Sequence, residues 1–150
     1  MPEHLIDCKR ILKWLLDHAG ELGFDPDSVF LTGGSAGAHL ALLMALTPNR
    51  PEFQPGFEEV NTRVQGWTGF YGAYDFYSCF EKSDPENARS VLLQVVTGGT
   101  PDSHPEIYRQ SSPYHWSSQN LPPGMMLQGE QDTLIPMEEA LSMQNHLKQE

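Results

Sequence analysis

The stretch that decides the reading is Ser28-Val29-Phe30-Leu31-Thr32-Gly33-Gly34-Ser35-Ala36-Gly37-Ala38-His39-Leu40-Ala41. Its first five residues are mostly apolar and rich in β-forming types, which predicts a central strand over Ser28–Thr32. From Ala38 to Leu46 the residues favour a buried helix, which Pro48 stops. Between these elements lies Gly33-Gly34-Ser35-Ala36-Gly37, a G-x-S-x-G in the strand-to-helix setting that the motif requires. A tight turn there strains the serine backbone, and small neighbours leave it room. The consequence is an exposed hydroxyl beside a helix N-terminus, where the Ala36 amide and the helix dipole can stabilise a developing oxyanion. Ser35 is therefore the candidate nucleophile, and Ala36 the candidate oxyanion-hole donor. A phosphate loop would need Gly-Lys-Ser/Thr, and a dinucleotide fingerprint would need glycine where Ser35 stands, so neither fits.

Outward from this centre, Leu5, Ile6, Cys8, Leu12, Leu15, Leu16 and Ala19 recur at helical spacing. They predict one helix from Glu3 to Leu22 with Gly23 as its C-cap. Residues 48–59 read as a prolyl surface loop, Val64–Tyr71 as a second strand, and 74–120 as a long excursion with one helix near 86–96. A third strand, Gly124–Gln128, leads to Gly129-Glu130-Gln131-Asp132, and Pro136 precedes a closing amphipathic helix through Leu141, Met143 and Leu147. Strands separated by helices imply parallel pairing, hence a three-layer α/β/α arrangement in one domain of 150 residues.

Asp132 lies just after a strand, where an acid could orient a histidine tautomer and stabilise its imidazolium. It also follows Ser35 in the order serine, acid, histidine. Asp75, after the second strand, is the rival acid, though a turn-stabilising role suits it better. No histidine stands where a base is needed. His39 is expected to be packed or capping, His146 points along the last helix, and His4, His18, His104 and His115 read as surface or structural residues. Trp67, Phe70, Tyr71, Tyr74, Phe76 and Tyr77 could line a substrate pocket or fill the core.

Residues 23–41, from Gly23-Phe24-Asp25-Pro26-Asp27 through the Ser35 turn, resemble the elbow region of the α/β-hydrolase esterases related to hormone-sensitive lipase and to feruloyl-esterase-like or acylpeptidase-like hydrolases. Leu121-Pro122-Pro123 and Gly129-Glu130-Gln131-Asp132-Thr133-Leu134-Ile135-Pro136 resemble the same family's acid loop. The resemblance implies Ser35 as nucleophile, Asp132 as triad acid, Ala36 as an oxyanion amide, and an ester or, less specifically, a peptide as substrate. Two departures stand beside it: no H-G-G-G-type loop precedes Ser35, and no family-type histidine follows Asp132. The expectation is a partial α/β-hydrolase fold, with a mostly parallel sheet lacking its first and last strands and the catalytic histidine beyond residue 150.

Composition bounds the rest. Twenty acidic against nine basic side chains give a formal charge of −11, which repels a phosphate backbone. Nucleic-acid binding is therefore not expected. Apolar runs are too short for a membrane span, no secretory signal is visible, and a cytoplasmic location is the default expectation. Cys8 and Cys79 form no metal-ligand or redox pattern, so they read as buried free thiols, with no metal or cofactor implied. The expected partners are a small-molecule ester and, through open sheet edges, a second chain.

Overall fold

A computed structural model describes residues 2–81, 87–116 and 119–149. Three parallel strands form one sheet in the order β1 (Phe30–Gly34), β2 (Gly66–Phe70), β3 (Gly124–Leu127). The helices are α1 (Glu3–Asp17), α2 (Ala19–Leu22), α3 (Ala36–Leu46), α4 (Phe76–Glu81), α5 (Ala88–Thr97), α6 (Pro105–Ser111) and α7 (Met137–Gln149). This is the partial α/β-hydrolase fold that the sequence implies.

The boundaries differ from expectation in instructive ways. β1 runs through Gly33 and Gly34 because the pairing with β2 continues to the end of the glycines, Gly34 lying opposite Phe70. The predicted helix 3–22 breaks at His18, whose ring nitrogen turns back to the Trp14 carbonyl at 2.8 Å. Gly23 does close the second piece, at φ 73. The prolyl loop hides a short 3-10 turn at Pro51–Phe53 that buries Phe53 and Gln54. Within the excursion the helix near 86–96 is found as α5, capped by the Asn87 side chain, with residue 86 outside the described residues. α4 and α6 were not foreseen.

One sheet face packs on α3. Leu31, Trp67 and Met126 meet Leu42 and Leu43 there, together with Leu5 and Leu12 of α1 and Met143 of α7. α3 is consequently buried on nearly every side. The opposite face carries Phe30, 67% exposed, and Met125, 55% exposed, with Phe70 and Leu127 beside them. The described residues thus supply the sheet and the helical layer on one side of it. A second small core, Phe76, Cys79, Leu93 and Tyr108, joins α4, α5 and α6 above the first. Both cysteines are free thiols, Cys79 buried and Cys8 half-buried. No described helix is long and apolar enough to cross a membrane.

Lys9 of α1 is fully buried. Its ammonium donates to the Thr47 carbonyl at the C-terminal end of α3 and faces Gln54 Oε1 at 3.5 Å, a placement that suits the negative end of the helix dipole. Burial pushes its pKa down to about 8. Lys9→Ala removes the packed stem and strands the Thr47 carbonyl, at an expected cost of about 3 kcal/mol. The check is a fall in the urea midpoint with the slope unchanged.

Candidate active site

Ser35 stands alone between β1 and α3, at φ 54 and ψ −120. A positive φ is strained for a residue with a β-carbon, so the surroundings must hold it. They do so from both sides. The Ser35 amide donates to the Phe70 carbonyl at 2.9 Å, while its carbonyl accepts from Ala38 at 3.0 Å and His39 at 3.2 Å. The turn is thereby fastened to the sheet behind it and the helix ahead. α3 can come this close only because position 33 is glycine: a β-carbon there would lie 2.3 Å from the Gly37 carbonyl carbon. Ser35 is exposed, and Ala36 is the first residue of α3, so its N–H is one of those a helix leaves without an internal acceptor.

The register places Gly34 opposite Phe70 and Phe70 opposite Leu127, so the segments leaving β1 and β3 emerge at the same, C-terminal end of the parallel sheet. Ser35 sits on the first and Asp132 on the second. A cavity of about 320 Å³ opens there, lined by Ser35 and Ala36 and, from the loop that carries Asp132, by Leu134 and Ile135. Asp132 Oδ1 accepts from the Leu134 and Ile135 amides at 2.9 Å each, and Oδ2 from Gln128 Nε2 at 3.1 Å. These donors, the Ile135 amide foremost, hold its carboxyl below the usual carboxylate range. Asp75 caps α4 instead, accepting from the Tyr77 and Ser78 amides at 3.1 and 3.3 Å.

The histidines are placed as follows. His39 is buried, stacks on Phe76 with ring centroids 4.6 Å apart, and donates from Nε2 to the Ser111 carbonyl at 2.5 Å. His146 stacks on Tyr114, His18 on Trp14, His104 meets Ser103 Oγ at 2.8 Å, and His115 lies 4.0 Å from Asp75. His4, expected at the surface, is exposed but also lines the Ser35 cavity. Of the aromatic group only Phe76 lines that cavity; Trp67 and Tyr74 are core. The sequence reading missed Arg89, a buried side chain of α5 on the cavity wall that donates to the Leu134 carbonyl at 3.4 Å.

Burial drives the His39 pKa down from 6.5 to about 4. Because the unfolded chain takes up the proton first, the stability this residue contributes is intact above pH 6.5 and is lost as pH falls from there towards 4. The loss amounts to about 3 kcal/mol. Urea titrations across that window are expected to show the slope in the native chain and its absence in His39→Gln.

Residues 1–147 match the family described as BD-FAE. LipM of Mycobacterium tuberculosis, described as a probable carboxylic ester hydrolase, is 43% identical over 148 residues, covering 99% of this chain and 34% of that protein. The esterase LipC of the same organism is 37% identical over 150 residues, covering 98% of this chain and 36% of that one. Among solved structures, Thermogutta terrifontis esterase 2 phosphonylated by sarin matches with a TM-score of 0.74 at 26% identity, over 97% of this chain and 50% of that chain. The chain spans about a third of the length of these curated relatives. With the strand–serine–helix turn and the Asp132 loop at the same end of the sheet, this chain belongs to the BD-FAE family of α/β-hydrolase esterases.

Proposed function

We propose that this chain carries the nucleophile and the acid of a carboxylic ester hydrolase. Ser35 Oγ attacks the ester carbonyl, the alcohol leaves, and water releases the acid from the acyl-enzyme. The Ala36 amide receives the oxyanion, and Asp132 orients the base histidine through the acceptor capacity left on Oδ2. The observation that carries this reading is the strained Ser35 turn opening on the same cavity as the Asp132 loop. The esterase relatives support the reaction class.

The base and the second oxyanion donor are proposed to come from parts of the protein outside these residues. His39 is spent on Ser111 and on packing, and His146, His18, His104 and His115 are engaged elsewhere. His4 sits on an exposed helical turn at the rim of the cavity. An organophosphonate tests the nucleophile directly. With imidazole supplied as the base and after prolonged exposure, peptide mass spectrometry is expected to find the adduct on Ser35 and none in Ser35→Ala; an adduct on another residue contradicts the assignment.

A second reading, association with another chain, is favoured by the exposed sheet face around Phe30 and Met125 and by the outer edges of β1 and β3, which pair with no further strand among the described residues. Size-exclusion chromatography separates the two: a dimer supports association, whereas a monomer leaves the hydrolase reading alone.

A further inference from the structure

We infer that Gln128 is a positioning residue for Asp132: it fixes the carboxylate in one orientation and leaves a single acceptor site on it for the base histidine. The inference rests on the hydrolase reading above, in which Asp132 is the acid, and adds the residue that aims it. Gln128 follows the last residue of β3, and its Nε2 donates to two atoms at once, Asp132 Oδ2 at 3.1 Å and the Ile135 carbonyl at 2.7 Å. Both are oxygens that only accept, so the amide must present its NH2 group to them, and its orientation is unambiguous. Each of the two N–H groups has its own partner.

These bonds close a ring. Gln128 holds the Ile135 carbonyl, the Ile135 amide donates to Asp132 Oδ1 at 2.9 Å, and Asp132 Oδ2 accepts from Gln128. The Leu134 amide adds a second bond to Oδ1, and Arg89 of α5 secures the Leu134 carbonyl from the other side. A carboxylate offers about four acceptor sites, two on each oxygen. Backbone amides fill both sites on Oδ1, whereas Oδ2 keeps one beside the Gln128 bond. A histidine N–H that approaches Asp132 therefore meets one site, on the oxygen that Gln128 has already oriented. The neutrality of the donor matters as well. An amide steadies the carboxylate without cancelling its charge, and that charge is what stabilises an imidazolium. A lysine or arginine at position 128 would pair with it instead.

NMR of the intact chain tests the inference without turnover. At neutral pH the three-bond couplings about χ1 of Asp132 are expected to report one rotamer in the native chain and an average of rotamers in Gln128→Leu or Gln128→Met. Followed downward from neutral pH, the Asp132 carboxyl carbon is expected to titrate in the variants at a midpoint raised towards the ordinary 3.8. The rise stays partial, because the Ile135 amide, the largest of the causes that lower it, remains in place. Lys9→Ala, which weakens the fold elsewhere, is expected to lower the urea midpoint and leave the Asp132 couplings and titration as they are, so a loss of stability does not by itself reproduce the result. An Asp132 side chain that already averages in the native chain overturns the inference whether or not the variants fold. Couplings and midpoint unchanged on substitution of Gln128 overturn it too. Ser35→Ala is expected to behave as the native chain in these measurements, so a failure of the nucleophile assignment shows in the phosphonate experiment and not here.

Discussion

Gly33→Ala is expected to destabilise the fold by about 3 kcal/mol or more, while Gly37→Ala, four residues along the same turn, is expected to stabilise it by up to about 1 kcal/mol. The two glycines look equivalent in the motif and differ in what surrounds them. A β-carbon at Gly33 meets the Gly37 carbonyl carbon at 2.3 Å and its oxygen at 2.5 Å, both backbone atoms that no side-chain rotation can move aside. Relief requires the first turn of α3 to shift away from β1, and α3 is locked by Leu42 and Leu43 in the main core. At Gly37 nothing lies within 4 Å of the added carbon, and the residue is helical, so alanine lowers the unfolded chain's entropy at no steric cost. Urea midpoints of the two variants check the pair. Equal effects would mean that α3 does not approach β1 as described.

The second large effect is catalytic. A serine hydrolase without its histidine loses about six orders of magnitude in turnover. On the proposal that the base lies outside these residues, this chain is expected to hydrolyse short p-nitrophenyl esters no more than about a hundredfold faster than its Ser35→Ala variant, since only oxyanion and binding effects remain. Free imidazole should raise the Ser35-dependent part of the rate by supplying a base from solution, with Ser35→Ala reporting the uncatalysed contribution of imidazole. A larger ratio without imidazole would show that a histidine of this chain, His4 being the one on the cavity, acts as the base.

The elements that carry the site were legible because their signals are local. A β-rich run, a glycine-flanked serine and an apolar helix follow one another without a gap, and Gly129-Glu130-Gln131-Asp132 follows its strand just as directly. What stayed hidden depends on distant contacts. The period of α1 marks Leu5 and Leu12 but cannot show that Lys9 reaches Thr47, thirty-eight positions away, and is buried with them. His39 becomes a packing residue only because Ser111 offers it a carbonyl from seventy-two positions on. α4 and α6 are short, and each is set by its entry: the Asp75 carboxylate caps the first, and Pro105 opens the second. Both signals are present in the sequence, but within a stretch of mixed composition neither stands out from an ordinary turn. The wall that α5 presents to Ser35 could not be read from its periodicity, which marks an apolar face without saying what it faces.

A crystal structure measures the central claim most directly. The Ser35 hydroxyl is expected at a positive-φ bend beyond β1, open to a cleft that the Asp132 loop also borders, with Ser35 N bonded to the Phe70 carbonyl. A serine at helical φ inside a longer α3, or Ser35 and Asp132 at opposite ends of the sheet, would contradict it.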